Sequence, residues 1–370
     1  MRVGVLKEIK VAENRVSMTP AGVEVLAERG HEVWVETRAG AGSGFPDAEY
    51  ESAGGRIVGS PQEIYAECEM VMHVKEPLPS EYGLLREGQI LFTYLHLAAS
   101  EELTRALMAS RCVAIAYETV RAADGGLPLL TPMSEVAGRM SVQQGAKYLE
   151  MAEGGGGVLL GGVPGVDPGK VVVIGGGVVG ANAARMACGL GARVFLMDTN
   201  LERLRRLSEV MPANCFTLMA SPEAIRRHVV DADVVVGAVL LVGAKAPRLI
   251  TRSMLKTMKK GAVLVDVAID QGGCFETSRP TTHEDPVYIV DGVVHYCVAN
   301  MPGAVAKTST QALTNATLPY AAEIADKGWR RAFAESPEIL GGANVVLGRI
   351  TCRGVAEAFG LPFSPVSELV

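Results

Sequence analysis

No uncharged apolar run in this chain of 370 residues reaches about 18 residues, the least a bilayer-spanning helix needs, so no transmembrane helix is expected. An excess of positive charge is also missing. Lys and Arg number 35 against 41 Asp and Glu, a formal net charge of −6, which argues against nucleic acid and against an anionic membrane surface as partners. The opening MRVGVLKEIK is too charged for a signal peptide and reads as a first β-strand, Val3 to Leu6. Cysteine is sparse and unpatterned: Cys68, Cys112, Cys188, Cys215, Cys274, Cys297 and Cys352 include no CxxC pair, and their number is odd. Buried, reduced thiols in a cytoplasmic protein are expected rather than a disulfide framework. With six histidines, no HExxH and no Cys/His cluster, no metal site is expected.

What is present is an alternation of strand and helix patterns over nearly the whole length. Its 48% hydrophobic and 21% charged residues suit a well-packed globular chain of two domains. The most informative stretch is residues 171–198. An apolar run from Val171 enters a GxGxxG turn at Gly175, Gly177 and Gly180, an Ala-rich helical segment follows, and a second apolar run ends in Asp198. In strand–turn–helix–strand order this is a dinucleotide fingerprint. Gly175 permits the tight turn, Gly177 lets backbone approach a pyrophosphate, and Gly180 lets helix and strand pack closely. The helix start aims unsatisfied N–H groups at phosphates. Asp198, 23 residues after Gly175, is placed for the adenosine ribose hydroxyls and favours NAD over NADP. Arg203, Arg205 and Arg206 nearby are the counter-argument, since they could hold a phosphate.

The chain divides into three blocks. Residues 1–128 hold strand candidates Val3–Leu6, Val33–Glu36, Met70–Val74, Ile90–Leu95 and Val113–Tyr117. Helices between them are announced by Thr19-Pro20, Ser60-Pro61 and Ser100. Residues 129–305 open with a helix from Met133 to Glu150 and continue through the fingerprint to strands at 215–218, 234–238 and 263–269. A hairpin-like segment turns there at Asp291-Gly292. Residues 306–370 read as mostly helical, with Pro319 expected to kink or interrupt a long helix from Ser309 to Lys327. The expected fold class is α/β: two Rossmann-like, doubly wound parallel-sheet domains with a cleft between them. One is a discontinuous substrate domain, 1–128 plus 306–370, and the other a dinucleotide-binding domain, 129–305.

In open parallel sheets, ligands bind beyond the carboxyl ends of the strands. Arg15 lies in the loop after the first strand candidate, Lys75 and His96 directly follow later ones, Asp270 follows 263–269 with Asp266 inside that run, and Asn300 follows 293–298. Singly, each reads most simply as a solvated loop residue or a structural histidine. Shared position in a chain with a cofactor fingerprint points instead to cleft chemistry. Ser134, in TPMSEVAGRMS, either caps a helix or reaches cofactor phosphates.

These segments also resemble bacterial alanine dehydrogenases, of the alanine dehydrogenase/pyridine nucleotide transhydrogenase family, over essentially the whole chain. The likeness is carried by LKEIK and ENRVSMTP, VKEP at 74–77, FTYLHLAA at 92–99, TPMSEVAGRMS at 131–141 and LLGGVPGV with VVVIGGGVVG over 159–180. It continues in VDVAIDQGGCFET at 265–277, PTTHEDPVY at 280–288 and VVHYCVANMPGAVAKTSTQAL at 293–313. The resemblance implies reversible, NAD-dependent oxidative deamination of L-alanine to pyruvate and ammonium. Arg15 and Lys75 would hold substrate, and His96 and Asp270 would be the acid–base pair. Cofactor contacts would come from Ser134, Gly175, Gly177, Val178, Val179, Gly180, Asp198, Arg203, Val239, Ile269, Asp270, Asn300 and Met301. The family further implies a cytoplasmic homohexamer. The competing readings are the NAD-binding subunit of a membrane-partnered transhydrogenase, which needs no Lys75, His96 and Asp270 set, and a NAD sensor without catalysis.

Overall fold

The computed structural model describes residues 1–239 and 247–369. They form two compact units, Met1–Met133 with Val305–Val370, and Ser134–Ala304. The first unit begins with six strands: β1 (Arg2–Val5), β2 (Glu32–Glu36), β3 (Arg56–Val58), β4 (Met70–Met72), β5 (Ile90–Thr93) and β6 (Val113–Ala116). The second contains β7 (Lys170–Ile174), β8 (Arg193–Asp198), β9 (Cys215–Met219), β10 (Val234–Gly237), β11 (Val263–Asp266), β12 (Val287–Val290) and β13 (Val293–Tyr296). The chain then returns to the first sheet with β14 (Ala343–Val346) and β15 (Arg349–Ile350).

The sheet orders are β15-β14-β6-β5-β4-β1-β2-β3 and β12-β13-β11-β10-β7-β8-β9. Each winds outward in both directions from its first strand, so the strand order reverses between β1 and β4 in one sheet and between β7 and β10 in the other. Such reversals open the crevices where doubly wound sheets bind ligands. Two doubly wound sheets therefore form as expected, with one refinement. An antiparallel edge closes each, β14 and β15 in the first and β12 in the second.

Burial on both faces explains why the second sheet was so legible. Val171, Val173, Val194, Leu196, Val234 and Val236 pack into one core, and the alternate residues Val172, Ile174, Phe195, Met197 and Val235 into another. A strand covered on both sides reads as a continuous apolar run. The hairpin turn is equally local: Asp291 and Gly292 have φ of 50° and 79°, and Val290 pairs with Val293, as a two-residue primed turn requires.

Helix starts follow their caps. Thr19 Oγ1 accepts the Gly22 N–H at 3.3 Å and Ser100 Oγ accepts that of Leu103 at 3.3 Å. Ser60 departs from expectation, because its hydroxyl donates to Glu63 Oε1 at 3.1 Å and caps no N–H. Pro319 does not interrupt its helix either. Helical hydrogen bonding runs over Ala306–Glu335, and the break falls at Gly328 (φ 69°, ψ 159°). A proline costs an interior helix about 3 kcal/mol. Leu313, Thr317, Ala321 and Ala322, buried on either side of Pro319, hold the helix through it, while Gly328 supplies a backbone conformation closed to other residues. β11 also ends earlier than expected, at Asp266, and Ile269–Gln271 form a single 3-10 turn. All seven cysteines are free thiols, Cys215 and Cys352 half-buried and the rest buried.

Candidate active site

In the first unit the crevice position between β1 and β4 is furnished by charged side chains. The loop leaving β1 carries Glu8, Glu13 and Arg15. Arg15 is 2% exposed, and Glu13 grips it at two points, Nε to Oε1 at 2.7 Å and Nη2 to Oε2 at 2.6 Å. Its Nη1 lies 3.0 Å from Met133 Sδ. Burial opposes the Arg15 charge, but the Glu13 carboxylate outweighs it and the guanidinium pKa is raised. The next residue, Val16, donates its N–H to Thr310 Oγ1 at 3.1 Å, so the long helix Ala306–Glu335 ties down this loop.

The segment leaving β4 carries Lys75, whose pKa is lowered, first by burial and then by the neighbouring Arg15 charge. Thr93 on β5 donates to the Lys75 carbonyl at 2.9 Å. Beyond β5, His96 takes the left-handed conformation, φ 48° and ψ 38°, which is uncommon for a side chain of this size. Glu118 sustains it by accepting the His96 N–H at 2.6 Å and the Leu95 N–H at 3.2 Å. The same Oε1 stands 4.0 Å from His96 Nδ1. The imidazole stacks parallel to Tyr94, with centroids 6.0 Å apart, and its side chain is half exposed. The fold thus brings Arg15 and Lys75 together on adjacent loops, with His96 on the next one.

The second unit holds the glycine cradle. Gly175 turns at φ 105°, and its N–H donates to Met197 on β8 at 2.7 Å. A Cβ at Gly180 would overlap the Gly175 carbonyl, so helix Val178–Gly189 can sit this close only with glycine there. Gly177 differs: a Cβ there would meet nothing within 4 Å, and no side chain caps this helix. The space over Gly177 and the uncapped N–H groups are what a pyrophosphate requires, so the turn fits a dinucleotide. Val178 and Val179 form its first helical residues, and a Cβ at Gly138 of helix Thr131–Tyr148 would overlap the Val179 carbonyl, so the two helices approach closely there. Ser134 is one turn before Gly138, inside that helix rather than at its cap.

Asp198 ends β8. Its Oδ2 accepts the Gly176 N–H at 2.7 Å and Arg203 Nη1 at 3.1 Å, and its Oδ1 accepts the Asn200 N–H at 2.8 Å. Burial works against this charge, but the two N–H donors and Arg203 hold the carboxyl below its usual range. Arg203 is therefore paired with the carboxylate it was weighed against, and Arg205 and Arg206 lie on an exposed helix face beside Glu202. Val239, after β10, stands against the Gly175 turn. Asp270 is exposed on the turn after Ile269, which is buried. Asp266 shapes that turn by accepting the Ala268 and Cys274 N–H groups at 3.1 and 2.8 Å. Asn300 takes φ 64°, and Met301 is buried in the core.

Sequence reasoning passed over Glu8, Glu13, His73 and Glu118. Glu8, Glu13 and Glu118 accept from backbone or from other site residues, roles that leave no periodic trace. For Glu8 and Glu13 the only signal was their place in the LKEIK and ENRVSMTP segments.

Two family descriptions match the chain, the alanine dehydrogenase/PNT N-terminal domain over residues 4–137 and the C-terminal domain over residues 141–353. The chain belongs to the alanine dehydrogenase/PNT family. An alanine dehydrogenase of Halomonas elongata is 56% identical over 370 residues, covering all of both chains. One of Methanococcus maripaludis is 54% identical over 369 residues, 100% of this chain and 99% of its own. A solved L-alanine dehydrogenase superposes with a TM-score of 0.94 at 51% identity, over 97% of this chain and 99% of that one. A transhydrogenase of Sinorhizobium meliloti shares the fold, with a TM-score of 0.81 at 24% identity over 95% of this chain and 99% of that one. Membership at this level makes the chain an enzyme of the amino-acid dehydrogenase class, and the family implies a nicotinamide dinucleotide cofactor. Among the described residues no helix is long and apolar enough to cross a membrane.

Proposed function

We propose that this protein is a NAD-dependent L-alanine dehydrogenase. The observation that carries the reading is full-length identity above half with alanine dehydrogenases, together with the presence of Arg15, Lys75, His96 and Asp270 in the segments that carry the resemblance. In this reading, residues 1–128 with 306–370 bind substrate and 129–305 bind NAD, and the protein works as a cytoplasmic homohexamer on alanine, pyruvate and ammonium. The last points rest on the resemblance alone.

The residues divide the chemistry among them. NAD supplies the acceptor for the Cα hydride of alanine. The glycine turn and the helix start after Gly177 hold its pyrophosphate, with Ser134, Val178, Val179 and Val239 beside it, and Asp198 receives the ribose hydroxyls. Ile269, Asn300 and Met301 complete the cofactor contacts. Arg15 binds the substrate carboxylate through a charge-assisted hydrogen bond. Lys75 donates to the carbonyl or hydroxyl oxygen at C2 and stabilises negative charge growing there. Hydride loss leaves an iminium on the substrate, which water attacks while His96 takes the water proton. The imidazolium then gives that proton to the carbinolamine nitrogen, the C–N bond breaks to release ammonia, and the hydroxyl proton leaves to solvent as the carbonyl of pyruvate forms. Asp270 stabilises the cationic intermediates.

Purified protein mixed with NAD and L-alanine at mildly alkaline pH should raise absorbance near 340 nm, with both compounds required. A flat trace from folded protein that still binds NADH would replace this reading with the transhydrogenase-like or sensor alternative. Arg15→Ala should raise KM for pyruvate by about tenfold or more, the scale of a lost charged hydrogen bond. An unchanged KM removes Arg15 from the site. An ionised Asp198 repels a 2′-phosphate by about 1–4 kcal/mol, so kcat/KM should favour NAD over NADP by at least about fivefold. Equal values would show that Arg203 leaves Asp198 to serve the phosphate.

A further inference from the structure

His73 immediately follows β4, two residues before Lys75, and has no part in the chemistry above. It is 1% exposed, yet both ring nitrogens face carboxylates. Nδ1 is 3.2 Å from Glu8 Oε1, and Nε2 is 3.1 Å from Glu81 Oε1. Tyr65 completes the cluster, its hydroxyl 3.2 Å from Nε2 and donating to Glu81 at 3.2 Å. A neutral imidazole has one N–H and one lone pair, and either tautomer would set that lone pair against a carboxylate oxygen. The geometry therefore calls for a doubly protonated ring. Burial opposes its charge, but Glu8 and then Glu81 overcome the penalty and push the pKa up to about 10. The remaining carboxylate that senses the ring is Glu36 on β2, which accepts the Lys7 N–H at 2.9 Å.

The two carboxylates do more than hold the ring. Glu8 Oε1 also accepts the Val74 N–H at 2.6 Å and the Lys75 N–H at 3.3 Å. Glu81 Oε2 accepts the Leu78 N–H at 2.9 Å. The chain from Val74 to Leu78 is thus fastened at both ends by carboxylates that a single imidazolium ties together.

We propose that His73 is a positioning residue for the reaction: by donating from both ring nitrogens it orients Glu8 and Glu81, and through their grip on the backbone it sets where the Lys75 ammonium stands. The inference rests on the dehydrogenase reading, because it needs Lys75 to act on substrate. It also gives a role to a histidine buried between two acids, an arrangement that costs desolvation and gives no packing that an apolar side chain would not.

The test compares two amide variants of similar size and equal charge. In His73→Asn the amide N–H falls near the Nδ1 position and still reaches Glu8. In His73→Gln it falls near Nε2 and reaches Glu81. In the Gln variant KM for pyruvate should rise and kcat/KM fall by about tenfold or more, with kcat falling as well because Lys75 stabilises developing charge; each change should be clearly smaller in the Asn variant, with NADH affinity unchanged in both. If neither variant folds, Glu8→Gln should raise KM, while Tyr65→Phe lowers Tm and leaves KM within about threefold. Equal KM values throughout, with only Tm lowered, would make His73 purely structural and overturn the proposal. Wild-type protein that fails to oxidise alanine removes the dehydrogenase reading as well, so the two failures are told apart by the wild-type assay.

Discussion

His96→Ala lowers kcat for alanine oxidation by about 10² to 10⁴, the range over which a positioned acid–base group contributes. The structure makes the measurement unusually clean. The imidazole is half exposed, stacks only on Tyr94, and makes no side-chain hydrogen bond among the described residues, so its removal opens no cavity. The hazard lies in the backbone, because His96 sits at φ 48° and alanine tolerates that conformation poorly. His96→Asn answers it, since asparagine is enriched at positive φ, and both variants keep the backbone N–H that Glu118 accepts. The expected result is that Asn restores Tm to near wild type while kcat stays as low as in Ala. NADH affinity should be unchanged in both. Near-normal turnover in either variant would take the proton-transfer role from His96.

Gly177→Ala is the second large effect, and its value lies in the contrast with Gly180→Ala. At Gly177 a methyl meets nothing within 4 Å and φ is −68°, so the fold has no objection to it. Only a ligand lying on that turn would be displaced. NADH affinity should fall by about 100-fold, the loss of a pair of charged hydrogen bonds, with Tm changed by no more than a few degrees. At Gly180 the methyl overlaps the Gly175 carbonyl, so helix and strand must separate. There both Tm and affinity should fall together. Titration of NADH fluorescence and thermal melts on the two variants separate the cases. Full NADH affinity in Gly177→Ala would mean that no pyrophosphate rests on this turn.

The elements that were legible in the sequence share a local cause. β7 and β8 are covered on both faces and announce themselves as unbroken apolar runs, and the turn between β7 and its helix needs glycine wherever backbones or ligands come close. The Asp291-Gly292 hairpin and the Thr19 and Ser100 caps are likewise decided within four residues. β3, three residues at a sheet edge, and the short helix Asp47–Ser52 carry too few residues to show a period. Ser60 and Pro319 misled because the signal was local but the outcome was not. A neighbouring acid took the Ser60 hydroxyl, and burial on both sides of Pro319 outweighed the lost hydrogen bond.

The site divides along the same line. Chain order alone placed Arg15, Lys75, His96 and Asp270 after strands, and the glycine spacing with Asp198 marked the cofactor turn, because strand–loop–helix periodicity dictates which residues emerge at a sheet's carboxyl edge. What each of these side chains touches was settled only by tertiary structure. Glu118 reaches His96 across 22 residues and Glu8 reaches His73 across 65. Strand pairing of β1 with β4 and of β5 with β6 is what brings these loops side by side. A buried charge must find an opposite charge or a donor within about 4 Å whatever its distance along the chain, and that partner is chosen by sheet order, which periodicity does not reveal.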